Sequence, residues 1–224
     1  MGFMSVAENL KAIRAQIGAA AVEAERDPAS VHLVAVSKVQ PDERIEEALA
    51  AGHRLFGENR VQEAQQRWGG RKALFSDLRL HLIGPLQTNK TGDAVALFDV
   101  IETLDREKLA KVLAAEMEKQ GRRLPCFIQV NVGEEPQKSG ILPQELEDFY
   151  RYCVDECSLD VRGLMCIPPA EEPPSFFFAL LRQQAQALGL QDLSMGMSGD
   201  FEQAIALGAT YVRVGTGIFG ERIY

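Results

Sequence analysis

Apolar positions along the chain keep changing period. Residues 4–26 place Val6, Leu10, Ile13 and Ile17 three or four apart, with Lys11, Arg14, Glu23 and Glu25 between them. That spacing predicts a helix. A short apolar run at 31–36 predicts a strand. A second helix is expected from Asp42, a candidate N-cap, to Gly52. The exchange then repeats. Runs at 54–56, 78–84, 98–104, 124–132, 159–167, 192–197 and 210–215 read as strands. Between them "ENRVQEAQQRW", "LQTNKTGDAVAL", "DREKLAKVLAAEMEKQG", "PQELEDFYRYCVDE", "SFFFALLRQQAQALG" and "DFEQAIALG" read as helices.

Strict alternation predicts a parallel sheet with crossover helices. Eight such units in 224 residues predict an α/β fold, a closed (β/α)8 TIM barrel near the short end of its size range. The first helix is then an extra element, expected over the barrel's bottom or side. A doubly wound open sheet has the same element order and remains the alternative, because strand count does not settle closure. With no linker or repeat in view, 1–224 is expected to be a single domain.

Composition narrows the function classes. Twenty-four basic residues against 32 acidic ones give a net charge of −8, with no basic run. Nucleic acid is therefore not an expected partner. No apolar stretch reaches the roughly 18 residues of a membrane span, and no signal peptide opens the chain. A cytoplasmic, soluble protein is expected. Cys126, Cys153, Cys157 and Cys166 form no CxxC pair and read as reduced, mostly buried thiols. His32, His53 and His81 are too scattered to suggest a metal site.

Chemistry in such a barrel sits where strands end. The first strand runs into "LVAVSKVQP", so Lys38 stands at the mouth. The loops after strands seven and eight, a common phosphate site in these barrels, read "SMGMSGD" and "VRVGTGIFG". Ser198 precedes a helix, Gly215 permits close backbone approach, and Thr216 adds a hydroxyl. Closure places strand one beside strand eight, hence Lys38 beside this cradle. Gly215, Gly217 and Gly220 also match a dinucleotide fingerprint. Only four residues follow Gly220, too few to complete a βαβ unit. A lysine in a dry site can attack a carbonyl. With phosphate nearby, the carbonyl compound is pyridoxal 5'-phosphate (PLP) or a phosphorylated sugar in an aldolase-type site. Arg213, on the same side of strand eight as Gly215, favours PLP, whose ring nitrogen needs a partner.

The motifs "VAVSKVQP", "FGENRVQEA", "HLIGPLQTNK", "QVNVGEEPQKSG", "GLMCIPP" and "LSMGMSGDFEQAIALGATYVRVGTGIFGER", in that order, resemble the YggS/PROSC family of PLP homeostasis proteins over nearly the whole chain. The resemblance implies the barrel of fold-type III PLP enzymes, as in the N-terminal domain of alanine racemase. It implies a Schiff base on Lys38, phosphate contacts from Ser198, Gly215 and Thr216, a ring-nitrogen contact from Arg213, and Asn59 beside the ring. Arg60 and Gly199 depart from the residues frequent at their positions in the family. The implied role is binding and handing over PLP without strong catalysis, with PLP-dependent apo-enzymes as recipients. A low-activity amino-acid racemase is the alternative, and a PLP-free Schiff-base aldolase a third reading. The β-domain that carries the racemase's second acid/base and its dimer interface has no counterpart in the sequence, so a monomer is expected.

Simpler roles compete at several positions. Ser198 and Asn59 could cap the helices that follow them. Arg213 could serve in a structural ion pair. His81 and Met165 read as core or supporting residues, and Lys90 and Lys138 as solvated or as contacts for incoming PLP.

Overall fold

The strands close. In the computed structural model, which describes residues 5–220, eight parallel strands form a barrel in sequence order. They are β1 (His32–Val36), β2 (Leu55–Glu58), β3 (Arg79–Leu82), β4 (Val100–Leu104), β5 (Pro125–Val130), β6 (Asp160–Cys166), β7 (Asp192–Ser194) and β8 (Tyr211–Val214). β1 pairs with β8 from His32↔Tyr211 to Ala35↔Val214, which rules out the open sheet. Met4, the first residue of the predicted leading helix, and Glu221-Arg222 of the last motif lie outside the described residues.

Helices α2 (Asp42–Ala50), α3 (Val61–Leu74), α4 (Thr91–Leu97), α5 (Glu107–Gln120), α6 (Leu146–Arg151), α7 (Pro174–Ala187) and α8 (Phe201–Ala206) connect successive strands. The sequence explains their ends unevenly. Gly121 stops α5 in the left-handed region at φ 62°, as its position predicts. Asp42 lies in the first turn of α2, and Pro41 is the N-cap. The predicted 143–156 helix divides into a 3-10 turn, the short α6, and a π-helical stretch over Tyr152–Glu156.

The extra helix α1 (Val6–Glu23) opens with a capping box in which Ser5 and Glu8 satisfy each other's backbone N–H groups. Its buried stripe of Val6, Leu10, Ile13, Ile17 and Ala21 packs against α2, α8 and the four-residue α9 (Thr216–Phe219). α1 therefore covers the side of the barrel where the first and last units meet. Asn9 Nδ2 also donates to Ile218 O at 2.9 Å across that seam.

Most strand residues are buried on both faces, as parallel strands between lumen and helices must be. Tyr211 fills the lower lumen against His32, Phe127 and His81, with ring centroids 5.0 to 5.5 Å apart. Above it the lumen turns polar.

Candidate functional site

Lys38 leaves the wall of β1 half-buried, in a turn closed by Gln40 N–H donating to Ser37 O at 3.2 Å. The turn is held from outside the barrel. Arg67 on α3 donates to Ser37 O (2.7 Å) and Gln40 O (2.9 Å), and to Glu58 Oε1 (2.8 Å). That same Glu58 oxygen accepts from Ser37 Oγ at 2.7 Å and Trp68 Nε1 at 3.0 Å. Glu58 is fully buried, and Arg67 supplies the ion-pair partner that a buried carboxylate needs. Between these anchors Val39 takes φ 59°, an unusual conformation for a β-branched residue. Backbone strain of this kind sits next to the lysine, where functional sites commonly store it.

At β7 and β8, the strands next in order round the barrel from β1, two loops converge. Ser198 Oγ, after β7, lies 3.2 Å from Thr216 Oγ1 and 3.5 Å from Gly217 N, at the start of α9. Gly215 lies against β1, where a Cβ would sit 3.4 Å from Val36 O. Ser198 does not cap α8. Asp200 is the N-cap, and its carboxylate accepts from Met197 N at 2.5 Å. The cap reading of Asn59 fails too, since α3 begins from Arg60 without a side-chain cap. Asn59 Oδ1 is buried and takes no hydrogen bond among the described residues. Gly84 presses on its backbone so closely that a Cβ would fall 2.3 Å from Asn59 O.

Arg213 points into the lumen. Its Nη1 donates to Ser194 Oγ (2.6 Å) and its Nη2 to Cys166 O (2.8 Å). Ser194 in turn donates to Glu102 Oε2 at 2.5 Å, a bond from β7 to β4 that crosses the lumen. Glu102 Oε1 accepts from His81 Nδ1 at 2.5 Å. Burial pushes the Glu102 carboxyl toward the neutral form. The hydrogen bond from His81, with Arg213 and Ser194, outweighs it and holds the carboxyl below its ordinary range. Gln129 Oε1, also buried, has no partner among the described residues.

Of the residues predicted from sequence, Lys38, Ser198, Gly215 and Thr216 gather at the meeting of β1, β7 and β8, with Arg213 below them in the lumen. Asn59 ends β2, the other neighbour of β1. Met165 is buried in β6 next to Ser194. Lys138 is engaged by Glu135 (2.5 Å) and Pro168 O (3.0 Å), and so ties the loops after β5 and β6 together. Sequence reasoning missed Glu58, Arg67, Glu102 and Ser194. The available signal was a glutamate inside each of two otherwise apolar strands, which must find a partner.

At the lower end of the barrel, a cavity of about 590 Å³ lies between α5 and β6. Its lining mixes Lys111, Arg122 and Arg123 with Glu118, Glu156 and Asp160, a solvated surface without a converging set of groups.

Comparison with known proteins agrees with this fold. Residues 8–223 match the family model "Alanine racemase, N-terminal domain". The "Pyridoxal phosphate homeostasis protein" of Pseudomonas aeruginosa is 44% identical over 227 residues, covering 98% of this chain and 97% of that protein. The structure of PipY from Synechococcus elongatus, a COG0325 family member, is 38% identical and covers 96% of this chain and 100% of that one. It superimposes with a TM-score of 0.87 without PLP and 0.83 with PLP bound. An alanine racemase from Clostridium difficile shares the fold alone, at 12% identity and a TM-score of 0.73 over 56% of its length. The chain belongs to the pyridoxal phosphate homeostasis protein family, built on the barrel of the alanine racemase N-terminal domain.

Proposed function

We propose that this protein binds PLP as a Schiff base on Lys38 and serves intracellular PLP homeostasis without strong catalysis of its own. The observation that carries the reading is the convergence of Lys38 with the Ser198–Thr216–Gly217 cradle at the β1–β8 seam. The residues present fit the cofactor. Two hydroxyls and a backbone N–H suit its phosphate, the lysine amine suits its aldehyde, and a lumen arginine suits its ring nitrogen. The unpartnered Asn59 Oδ1 offers an acceptor at the rim. When bound, PLP supplies an electrophilic aldehyde and a ring able to store electron density.

Each residue then has a task. Lys38 holds the aldehyde carbon, on a turn that Arg67 and Glu58 keep in place. Ser198, Gly215 and Thr216 orient the phosphate. Arg213 would donate to the ring nitrogen, and such a donor would keep it unprotonated, weaken the ring as an electron sink and disfavour turnover. Asn59 borders the ring. A monomeric, single-domain, cytoplasmic carrier that passes PLP to apo-enzymes accords with these tasks. No helix of the described residues is long and apolar enough to cross a membrane.

The test is the visible absorption spectrum of the purified protein beside Lys38→Ala. A yellow band in the wild type that the variant lacks supports the reading. A wild type that stays colourless after PLP is added overturns it and brings the aldolase reading forward. Turnover of alanine between its enantiomers at about 1–10³ per second would replace the carrier with a racemase.

A further inference from the structure

The lumen carries one more functional element, and it rests on the PLP reading above. Arg213 is almost fully buried at 4% exposure. A lone guanidinium there would be an uncompensated cation, drawn to any anion that entered. It is not alone. The Ser194 hydroxyl has one proton. It gives that proton to Glu102 Oε2 and so turns a lone pair to Arg213 Nη1. An ionised Glu102 accepts at both oxygens in this order of donors and acceptors, and its depressed pKa accords with that. His81 holds the other carboxylate oxygen. No hydrogen bond among the described residues uses the Arg213 Nε–H.

We infer that Glu102, acting through Ser194, is the positioning residue that fixes Arg213 and cancels its charge. The inner end of the site thereby accepts a neutral ring nitrogen and not an anion. The consequence is ligand orientation. With the Arg213 charge offset, the hydroxyls and backbone N–H of the Ser198–Thr216–Gly217 rim are the donors that favour a phosphate, so a molecule with a phosphate and a ring nitrogen enters in one sense only. A phosphate or carboxylate gains nothing by going inward. Without Glu102, Arg213 would attract anions inward, and its unused N–H would lose its aim.

The experiment measures PLP affinity from the visible band in four proteins: wild type, Glu102→Gln, Arg213→Met, and the double variant. Melting of each without PLP checks the fold. Glutamine keeps the shape and reach of Glu102, removes its charge and replaces one of its two acceptor oxygens with an amide donor. Glu102→Gln is expected to weaken PLP by about ten- to a hundredfold, the span of a hydrogen bond to a charged group. The band maximum is expected to shift as the ring contact changes. In the Arg213→Met background the same substitution is expected to change affinity by less than about threefold, since its route of action is gone. Equal losses in both backgrounds, or an unchanged affinity and band in Glu102→Gln, overturn the inference and leave the PLP reading standing. Absence of any Lys38-dependent band in the wild type removes that reading first. If Glu102→Gln does not fold, Ser194→Ala, which cuts the same link and removes one oxygen, replaces it with the same expectations.

Discussion

Two glycines three residues apart give the sharpest test of how the cradle is built. Gly196 and Gly199 both lie in the loop from β7 to α8 that carries Ser198. Gly196 has φ 92°, and a Cβ on it would fall 2.6 Å from Ala204 Cβ and 2.9 Å from Phe201 Cα. Gly199 has nothing within 4 Å of its Cβ direction and no positive φ. For Gly196→Ala the left-handed backbone costs about 1–2 kcal/mol. The overlap with α8 costs about 1–3 kcal/mol. Reduced freedom of the unfolded chain returns about 0.4–1 kcal/mol. The net cost is roughly 1–5 kcal/mol, which for a chain of this size lowers Tm by about 2–18 °C. Gly199→Ala keeps only the favourable term, so its Tm should stay or rise by about 1–4 °C. Relief of the overlap would push α8 away and carry Ser198 with it, so Gly196→Ala should also load PLP poorly while Gly199→Ala loads normally. Thermal melts with absorbance of the loaded fraction read both effects. Melting temperatures within about 2 °C of each other would refute the reasoning.

Two other predictions concern stability. His53 is buried, its Nε2–H donates to Leu55 O at 2.7 Å, and Arg14 donates to its Nδ1 at 3.0 Å. Burial pushes its pKa down to about 4 from 6.5, so the unfolded chain binds the extra proton first as pH falls. This stabilisation is complete above pH 6.5 and lost by pH 4, up to roughly 3 kcal/mol. Urea midpoints across that range should fall more steeply in the wild type than in His53→Gln, and identical slopes would contradict the assignment. Arg67→Met leaves the Glu58 carboxylate buried and unpaired and should cost about 3–5 kcal/mol in denaturant titrations. Adding Glu58→Gln should recover part of that loss, and a single-variant cost under about 1 kcal/mol would show that the pair is not what holds the lysine turn.

The period changes made all eight strands and the barrel legible in the sequence, because each crossover helix buries one stripe and each strand both faces. The predicted strand limits at 78–84 and 124–132 overran the ladder by a few residues, since an apolar run does not stop where pairing stops. The π-helical end after α6 left no trace, because Tyr152–Glu156 carries the pattern of an ordinary helix. α9 is too short to carry any period. The candidate residues on loops could be picked out because Lys38, Ser198 and Thr216 follow strand ends in a barrel whose working face is known from topology alone. Glu102 and Ser194 were not, since their bond joins strands that are not neighbours, and only the closed lumen brings them together.

The β1–β8 seam also sets a schedule. Lys38 follows the first strand and Thr216 follows the last, so synthesis separates them by most of the chain. A ribosome exposes the lysine early and the phosphate cradle only at the end. Closing the barrel is a long-range step whose loop-closure entropy must be met before its contacts form. A nascent or truncated chain therefore carries the amine without the grip, and reacts with aldehydes as any surface lysine does. On the proposed function, retention of the cofactor would begin when the last strand docks, and each bound molecule would then hold the ring shut by mass action.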